Sequence, residues 1–201
     1  MTRIVAGAAG GRRLRVPPSG TRPTSDRVRE ALFSALDARL DFAGARVLDL
    51  YAGSGALGLE ALSRGAEHAL LVESDRKAAA VVRGNIADLG LPGAQLRVAA
   101  VASALETGGA GAFDLVFSDP PYAVENAAVL ADLRALAERG WLRPGALVVL
   151  ERSVRSPEID WPAGFIPAKS RRYGETRIDL AQFEPAAATG PATAAAPPRS
   201  C

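Results

Sequence analysis

The apolar positions of this 201-residue chain change period along its length. Between residues 46 and 151, short and nearly continuous apolar runs alternate with stretches whose apolar residues recur at helical spacing. The runs predict strands at 46–51, 68–73, 95–99, 113–118 and 146–151. The periodic stretches predict helices at about 56–64, 75–89 and 125–139, with Gly65, Gly90 and Gly140 as C-terminal stops. Strands apolar on both faces and separated by amphipathic helices belong to a parallel sheet covered on both sides. The predicted fold class is α/β, a doubly wound, mostly parallel sheet.

The flanks follow other patterns. Residues 3–16 hold two short extended stretches, Arg3 to Ala6 and Arg12 to Val16, joined by the glycine-rich Gly7 to Gly11. That arrangement suits a hairpin, with Leu14 and Val16 on one face and Arg13 and Arg15 on the other. Pro17-Pro18-Ser19-Gly20 ends the unit. Thr24 or Ser25 is a plausible N-cap for a further helix, whose buried face is Val28, Ala31, Leu32, Ala35 and Leu36. Late in the chain, 165–172 and 176–183 face each other across Tyr173-Gly174-Glu175, a hairpin signal. Residues 184–201 are small and proline-rich, and the expectation there is a disordered tail. The domain reading is an Arg-rich hairpin extension over 1–20, one main domain over 21–183 and the tail.

The organising stretch is Val47 to Gly58, where an apolar run breaks at Gly53 and Gly55 and resumes as a helix. Glycines there permit positive φ and close approach of a ligand, and the new helix offers unpaired N–H groups. An acid, Glu73, ends the next apolar run, where a carboxylate can grip ribose hydroxyls. Gly53-x-Gly55-x-x-Gly58 also satisfies the dinucleotide fingerprint. Asp49, at the end of the first strand, argues against a pyrophosphate and for S-adenosylmethionine, whose sulfonium and ammonium groups are cationic. A tight strand-to-helix turn holding no ligand is the bland alternative.

Composition narrows the chemistry. The one cysteine, Cys201, is the last residue, so disulfides, cysteine metal clusters and a thiolate nucleophile are excluded. The one histidine, His68, opens the second strand and reads as a surface residue, which leaves no parts for a triad or a histidine metal site. No run of about 18 apolar residues and no apolar leader is present, so the expected location is the cytoplasm, without membrane contact. The formal charge is only +2, yet residues 1–30 hold seven arginines against Asp26 and Glu30, a net +5. Arg3, Arg12, Arg13, Arg22 and Arg27 therefore read as a phosphate-contacting set, with Arg22, Arg27 and Arg29 around the start of the helix.

The fourth strand runs into Asp119-Pro120-Pro121-Tyr122. In a doubly wound sheet this places Asp119 beside Gly53 and Glu73, beyond the carboxyl ends of the strands. Proline has no N–H, so the turn offers a carboxylate and carbonyl oxygens, followed by an aromatic face. An exocyclic amine is a poor nucleophile until acceptors hold its hydrogens. Asp119 and the Pro120 carbonyl can do that while Tyr122 stacks on the ring. A rigid turn with a packed tyrosine is the alternative.

With these segments placed, the chain resembles the RsmD-type 16S ribosomal RNA guanine-N2 methyltransferases. The resemblance rests on Asp49 to Gly55, Asp119 to Tyr122, Arg3 to Gly7, Gly11 to Leu14, Thr21-Arg22-Pro23-Thr24 through Phe33, Gly58 to Ala66 and Tyr173-Gly174-x-Thr176. It implies a Rossmann-like class I methyltransferase fold ending in an antiparallel hairpin. It also implies methyl transfer from S-adenosylmethionine to one guanine N2 of 16S rRNA, on a partly assembled small subunit; no metal is expected, given the lack of cysteine and histidine ligands. Asp49, Gly53 and Gly55 would hold the methionine end and Glu73 the ribose, with Tyr51, Ala52, Ser54 and Ser74 also among the cofactor-binding residues, and Asp119 to Tyr122 would hold the guanine. The segment after the third strand, Ala99 to Ser103, lacks the acid or amide many methyltransferases use for adenine, so backbone groups near Val101 and Ala102 would take that part. An RNA-binding assembly factor with a vestigial pocket, a nicotinamide oxidoreductase, and a methyltransferase acting on adenine N6 or a protein glutamine stay open at this point.

Overall fold

Val47, Leu48, Leu50, Leu71, Val72, Leu115, Val116 and Phe117 lose essentially all contact with solvent. Adjacent residues of one strand point to opposite faces, so both faces of this sheet are covered. The structure, a computed structural model, describes residues 2–17, 25–109 and 111–185. The parallel strands are β3 (Arg46–Leu50), β4 (His68–Glu73), β5 (Ala94–Val98), β6 (Phe113–Ser118) and β7 (Leu142–Ser153). Between them run α2 (Ala56–Ser63), α3 (Arg76–Leu89), α4 (Val101–Glu106) and α5 (Asn126–Glu138). Before them come β1 (Thr2–Arg3), β2 (Arg13–Leu14) and α1 (Asp26–Asp37), and after them β8 (Phe165–Pro167), β9 (Arg171–Tyr173) and β10 (Thr176–Phe183).

Strand order in the large sheet is β5-β4-β3-β6-β7-β10-β8, with β9 also paired to β10. The parallel strands β3 and β6 are neighbours where the order of succession reverses, from β3-β4-β5 on one side to β6-β7 on the other, so a crevice opens beyond their carboxyl ends. Two apolar layers form. One packs the N-terminal segment, α1, α2 and α3 against one face; the other packs α4, α5 and Trp141 against the opposite face.

Ser25 is the N-cap of α1, its Oγ accepting from Val28 N at 3.3 Å; Thr24 lies outside the described residues. Arg29, expected near the surface, is fully buried and bonds Asp26 Oδ1 and the Arg3 carbonyl, both at 2.6 Å. The short helix α4 was not visible in the periodicity. Its six residues show only Val101, Ala104 and Leu105 as a buried face, too few turns to register as a pattern. β7 runs beyond the expected 146–151 at both ends, because Leu142 pairs with Phe113 and Arg152 and Ser153 pair with β10.

The terminal hairpin is interrupted. β8 and β9 both pair with β10, but Ala168, Lys169 and Ser170 stand opposite only Asp179 and Leu180, a bulge in which Ser170 Oγ donates to Asp179 Oδ1 at 2.6 Å. The tail from residue 186 onward lies outside the described residues.

The N-terminal hairpin does not stand apart as an extension. Ile4, Ala9 and Leu14 belong to the same apolar layer as α1 and β3. Buried Glu60 on α2 accepts from Val5 N at 2.6 Å and Ala6 N at 3.0 Å, and the Ser63 carbonyl accepts from Ala8 N at 2.7 Å. Gly7 passes so close that a Cβ would lie 1.8 Å from that carbonyl oxygen, at φ +79°. Gly11 has φ +81° but nothing within 4 Å of its Cβ position. Gly7→Ala should therefore cost about 2 kcal/mol or more, and Gly11→Ala only about 1 kcal/mol. Thermal melting of the two variants checks this; equal losses would mean that the contact with α2 contributes nothing.

Candidate active site

The turn after β3 is built by two buried carboxylates. Asp49, 1% exposed, points toward α2 and accepts from Gly58 N at 2.9 Å through Oδ2. A Cβ at Gly58 would sit 3.1 Å from that oxygen, so glycine lets the helix settle on the carboxylate. Glu73, at the end of β4, accepts from Gly53 N at 2.8 Å and from Asp75 N at 2.7 Å, one bond to each oxygen. Between them Tyr51, Gly53 and Gly55 all take positive φ, at 59°, 57° and 79°. A Cβ on Gly55 would strike Leu71 Cδ2 at 2.8 Å, whereas one on Gly53 would meet nothing closer than 3.9 Å. Gly53 thus presents bare backbone to open space, the feature a closely held ligand requires.

Burial pushes the Asp49 carboxyl up to about 7, with the Gly58 bond working against the rise and the charge of Glu73 adding to it. A carboxylate so placed is stabilised by a cation. The sulfonium and ammonium groups of S-adenosylmethionine suit it, and a pyrophosphate does not. Glu73 keeps one lone pair per oxygen for ribose hydroxyls beyond its two backbone bonds.

Across the crevice, the β6 turn is tied to β3 by Asp119 N and the Leu50 carbonyl at 3.5 Å, and closed by Val124 N donating to the Pro121 carbonyl at 2.8 Å. Pro120 is buried, Pro121 exposed, and Tyr122 60% exposed with its ring available to stack on a base. Burial first, then the charges of Glu151 and Asp49, raise the Asp119 carboxyl well above its ordinary range; Arg152 opposes them. Ser118 pairs with Leu150, which brings Asp119 and Glu151 to neighbouring strand ends. Arg152 braces the turn by donating from Nη2 to the Val124 carbonyl at 2.9 Å and to Asn126 Oδ1 at 3.0 Å.

The structure brings Asp49, Ala52, Gly53, Ser54, Gly55, Glu73, Ser74 and Asp119 to one crevice edge. Tyr51 is there through its backbone, but its hydroxyl turns away to donate to Asp132 Oδ2 at 2.6 Å. Val101 and Ala102 open α4, whose N-cap Ala100 makes no side-chain bond, so the first-turn N–H groups have no side-chain cap. Arg3, Arg12, Arg13, Arg15 and Arg27 are all exposed, with Arg3 paired to Asp26 at 3.5 Å and Arg15 to Asp88 at 2.7 Å. Arg12 is committed to the end of α3, donating to the Leu89 carbonyl at 2.8 Å and to the Asp88 carbonyl. Arg22 lies outside the described residues. His68 is half-buried, its ring centroid 6.1 Å from that of Phe113, at the amino end of the sheet far from this crevice. Asn85, Asp132, Glu151 and Arg152 were not anticipated. Asn85 and Asp132 occupy the buried stripes of α3 and α5, a polar intrusion that periodicity exposes.

Fold and site together define a methyltransferase that uses S-adenosylmethionine. The magnesium protoporphyrin IX methyltransferase of Synechocystis PCC 6803, solved with bound S-adenosylmethionine, shares the fold at TM-score 0.61 over 79% of each chain, with 17% identity. The family described as Conserved hypothetical protein 95 matches residues 2–182, and the chain belongs to it. The Escherichia coli (strain K12) protein named Ribosomal RNA small subunit methyltransferase D is 38% identical over 183 residues, 90% of each chain. The solved Escherichia coli protein yhhF superposes at TM-score 0.79 with 37% identity, covering 91% of this chain and 98% of its own.

Because Asp49 titrates near 7, its ionised form dominates above that pH, and only that form attracts a cationic ligand. Affinity for S-adenosylmethionine should rise as pH rises through 7 and be nearly flat in Asp49→Asn. The same raised value makes the folded chain hold a proton that the unfolded chain releases above about 4. This contribution to stability is therefore full at low pH and lost as pH climbs through 7. Calorimetric titration from pH 5.5 to 8.5 checks the binding limb; parallel profiles for the two proteins would refute the role of Asp49.

Proposed function

We propose that this chain transfers a methyl group from S-adenosylmethionine to the exocyclic N2 of a guanine in 16S rRNA, on a partly assembled small subunit. The observation that carries the reading is the acceptor-rich turn Asp119-Pro120-Pro121-Tyr122, facing an acid-held glycine turn across one crevice. The rRNA methyltransferase named among the relatives supports the substrate class.

Bound S-adenosylmethionine supplies an electrophilic methyl on a sulfonium. Asp119 and the Pro120 carbonyl accept the two N2 hydrogens and aim the nitrogen lone pair at that methyl. Tyr122 stacks on the base and fixes its plane. The N–C bond forms as the C–S bond breaks, and the surplus N2 proton passes to Asp119. Its raised proton affinity, due to burial and to Glu151, suits it to accept. No covalent intermediate is formed. A base must leave its helix to reach this turn, which favours an unpaired or flipped guanine.

Small subunits lacking the modification, incubated with labelled S-adenosylmethionine and digested to nucleosides, test the proposal. The expected product is N2-methylguanosine, with turnover lowered about 100-fold or more by Asp119→Ala while S-adenosylmethionine still binds. Label on adenosine or on protein would overturn the substrate, and cofactor binding without transfer to any acceptor would favour an assembly factor.

The N-terminal arginines separate by role. Arg13→Ala should flatten the salt dependence of RNA binding by roughly 0.7 in log–log slope without changing the melting temperature. Arg12→Ala should lower the melting temperature, because it uncaps α3. Salt titrations and melts on both variants check this, and the reverse assignment would move the RNA face away from Arg13.

A further inference from the structure

The antiparallel end of the sheet aligns three arginines in one row. Arg152 on β7 lies opposite Arg177 on β10, and Arg177 lies opposite Arg172 on β9. Directly opposed residues share a face of the sheet, and like charges so placed repel. Arg152 and Arg177 are each only 3% exposed. Arg177 donates to Asp179 Oδ2 at 2.8 Å and to the Ser156 and Pro157 carbonyls at 2.9 and 3.0 Å. Arg152 holds the acceptor turn, yet its Nε and Nη1 are buried with no hydrogen-bond partner. Among the described residues, the carboxylate bonded to this row is Asp179, and Ser170 shares it. Three guanidinium groups thus stand against one bonded carboxylate, with Asp119 acting on the inner end, Arg152, only through space.

Its two ends matter. The inner end, Arg152, follows Glu151 and so lies beside the acceptor turn. The outer end is the sheet edge, where Arg172, Arg171 and Lys169 are all exposed. β10 runs antiparallel to β7, so this edge sits at the same end of the sheet as the crevice.

We infer that Arg171 and Arg172, flanked by Lys169, each bind a backbone phosphate of the substrate RNA next to the nucleotide held by Asp119 to Tyr122. This is a second contact face beyond the N-terminal arginines. A polyanion laid over the edge meets guanidinium groups on both sides of β9, and the buried pair extends the attraction inward toward the turn. The inference rests on the proposed RNA substrate. The bland alternative is that charged residues on a short edge strand merely prevent strand-to-strand association.

Full-length protein and the variant carrying Arg171→Ala and Arg172→Ala, titrated with small-subunit RNA over a range of salt, decide between them. Two lost phosphate contacts should weaken binding and flatten the log–log slope by roughly 1.4. Affinity for S-adenosylmethionine should stay unchanged, which also reports that the variant is folded. Arg172→Glu should weaken RNA binding further. Unchanged affinity and slope in both variants would overturn the inference and leave edge protection as the role of these residues. Binding is scored without turnover, so the two readings fail separately. A wild-type protein that binds RNA through this edge but methylates nothing refutes the catalytic proposal alone, and one that binds no RNA refutes both.

Discussion

Everything at the working end of this protein depends on crowding carboxylates at one edge of a parallel sheet. Asp49, Glu73, Asp119 and Glu151 end neighbouring strands, and all are largely withdrawn from water. Desolvation and the neighbouring carboxylates disfavour the ionised forms of Asp49 and Asp119. Backbone N–H groups recover part of that cost: Gly58 N on Asp49, Gly53 and Asp75 N on Glu73. The same bonds force the turn into its shape, since a chain that delivers Gly53 N to Glu73 must pass through positive φ at Tyr51, Gly53 and Gly55. The remaining electrostatic stress is useful. A site that holds excess negative charge at a loss binds a cationic ligand with a gain, and it binds an anionic dinucleotide poorly. Cofactor choice thus follows from the strand ends rather than from the glycine spacing, which suits both.

The counter-charges are placed where they do not neutralise that site. Arg152 is close enough to Asp119 to lower its proton affinity, but its Nη2 is bonded to the Val124 carbonyl and Asn126 instead of to the carboxylate. Its other neighbour is Arg177, another cation. The result is an acidic interior rimmed on one side by guanidinium groups. The substrate proposed above would need both, because an RNA backbone is anionic while an exocyclic amine is a hydrogen donor. One charge pattern can therefore draw in the strand and seat the base.

Much of this was legible in the sequence, and the failures have identifiable causes. The five parallel strands and four of the five helices were readable because each spans enough residues to show a pattern. α4 was missed because six residues make less than two turns. The glycine turn, Asp49, Glu73 and Asp119 were readable because turn chemistry is local. Arg29 was misplaced because a charged residue beside an acid near a helix start normally lies on the surface. Its burial depends on Arg3 and the N-terminal hairpin folding over α1, a contact 26 residues away in sequence. The arginine row could not be seen at all. Arg152, Arg172 and Arg177 align only through strand register, and the bulge at Ala168 to Ser170 helps set that register.

Asn85 shows why the arms of the molecule are not independent. It lies in the buried stripe of α3, where an apolar residue would pack as well. Its Nδ2 donates to the Ser54 carbonyl in the glycine turn at 2.8 Å and to the Arg15 carbonyl at 2.9 Å, and its Oδ1 accepts from Arg15 N at 2.9 Å. One amide side chain therefore fixes the cofactor turn and the exit of the Arg-rich hairpin at the same time. An apolar substitute would leave three backbone groups without this partner, and buried groups of that kind are costly to leave unpaired. The polar residue in the stripe thereby joins the exit of the Arg-rich hairpin to the glycine turn. Ordering either one lowers the cost of ordering the other.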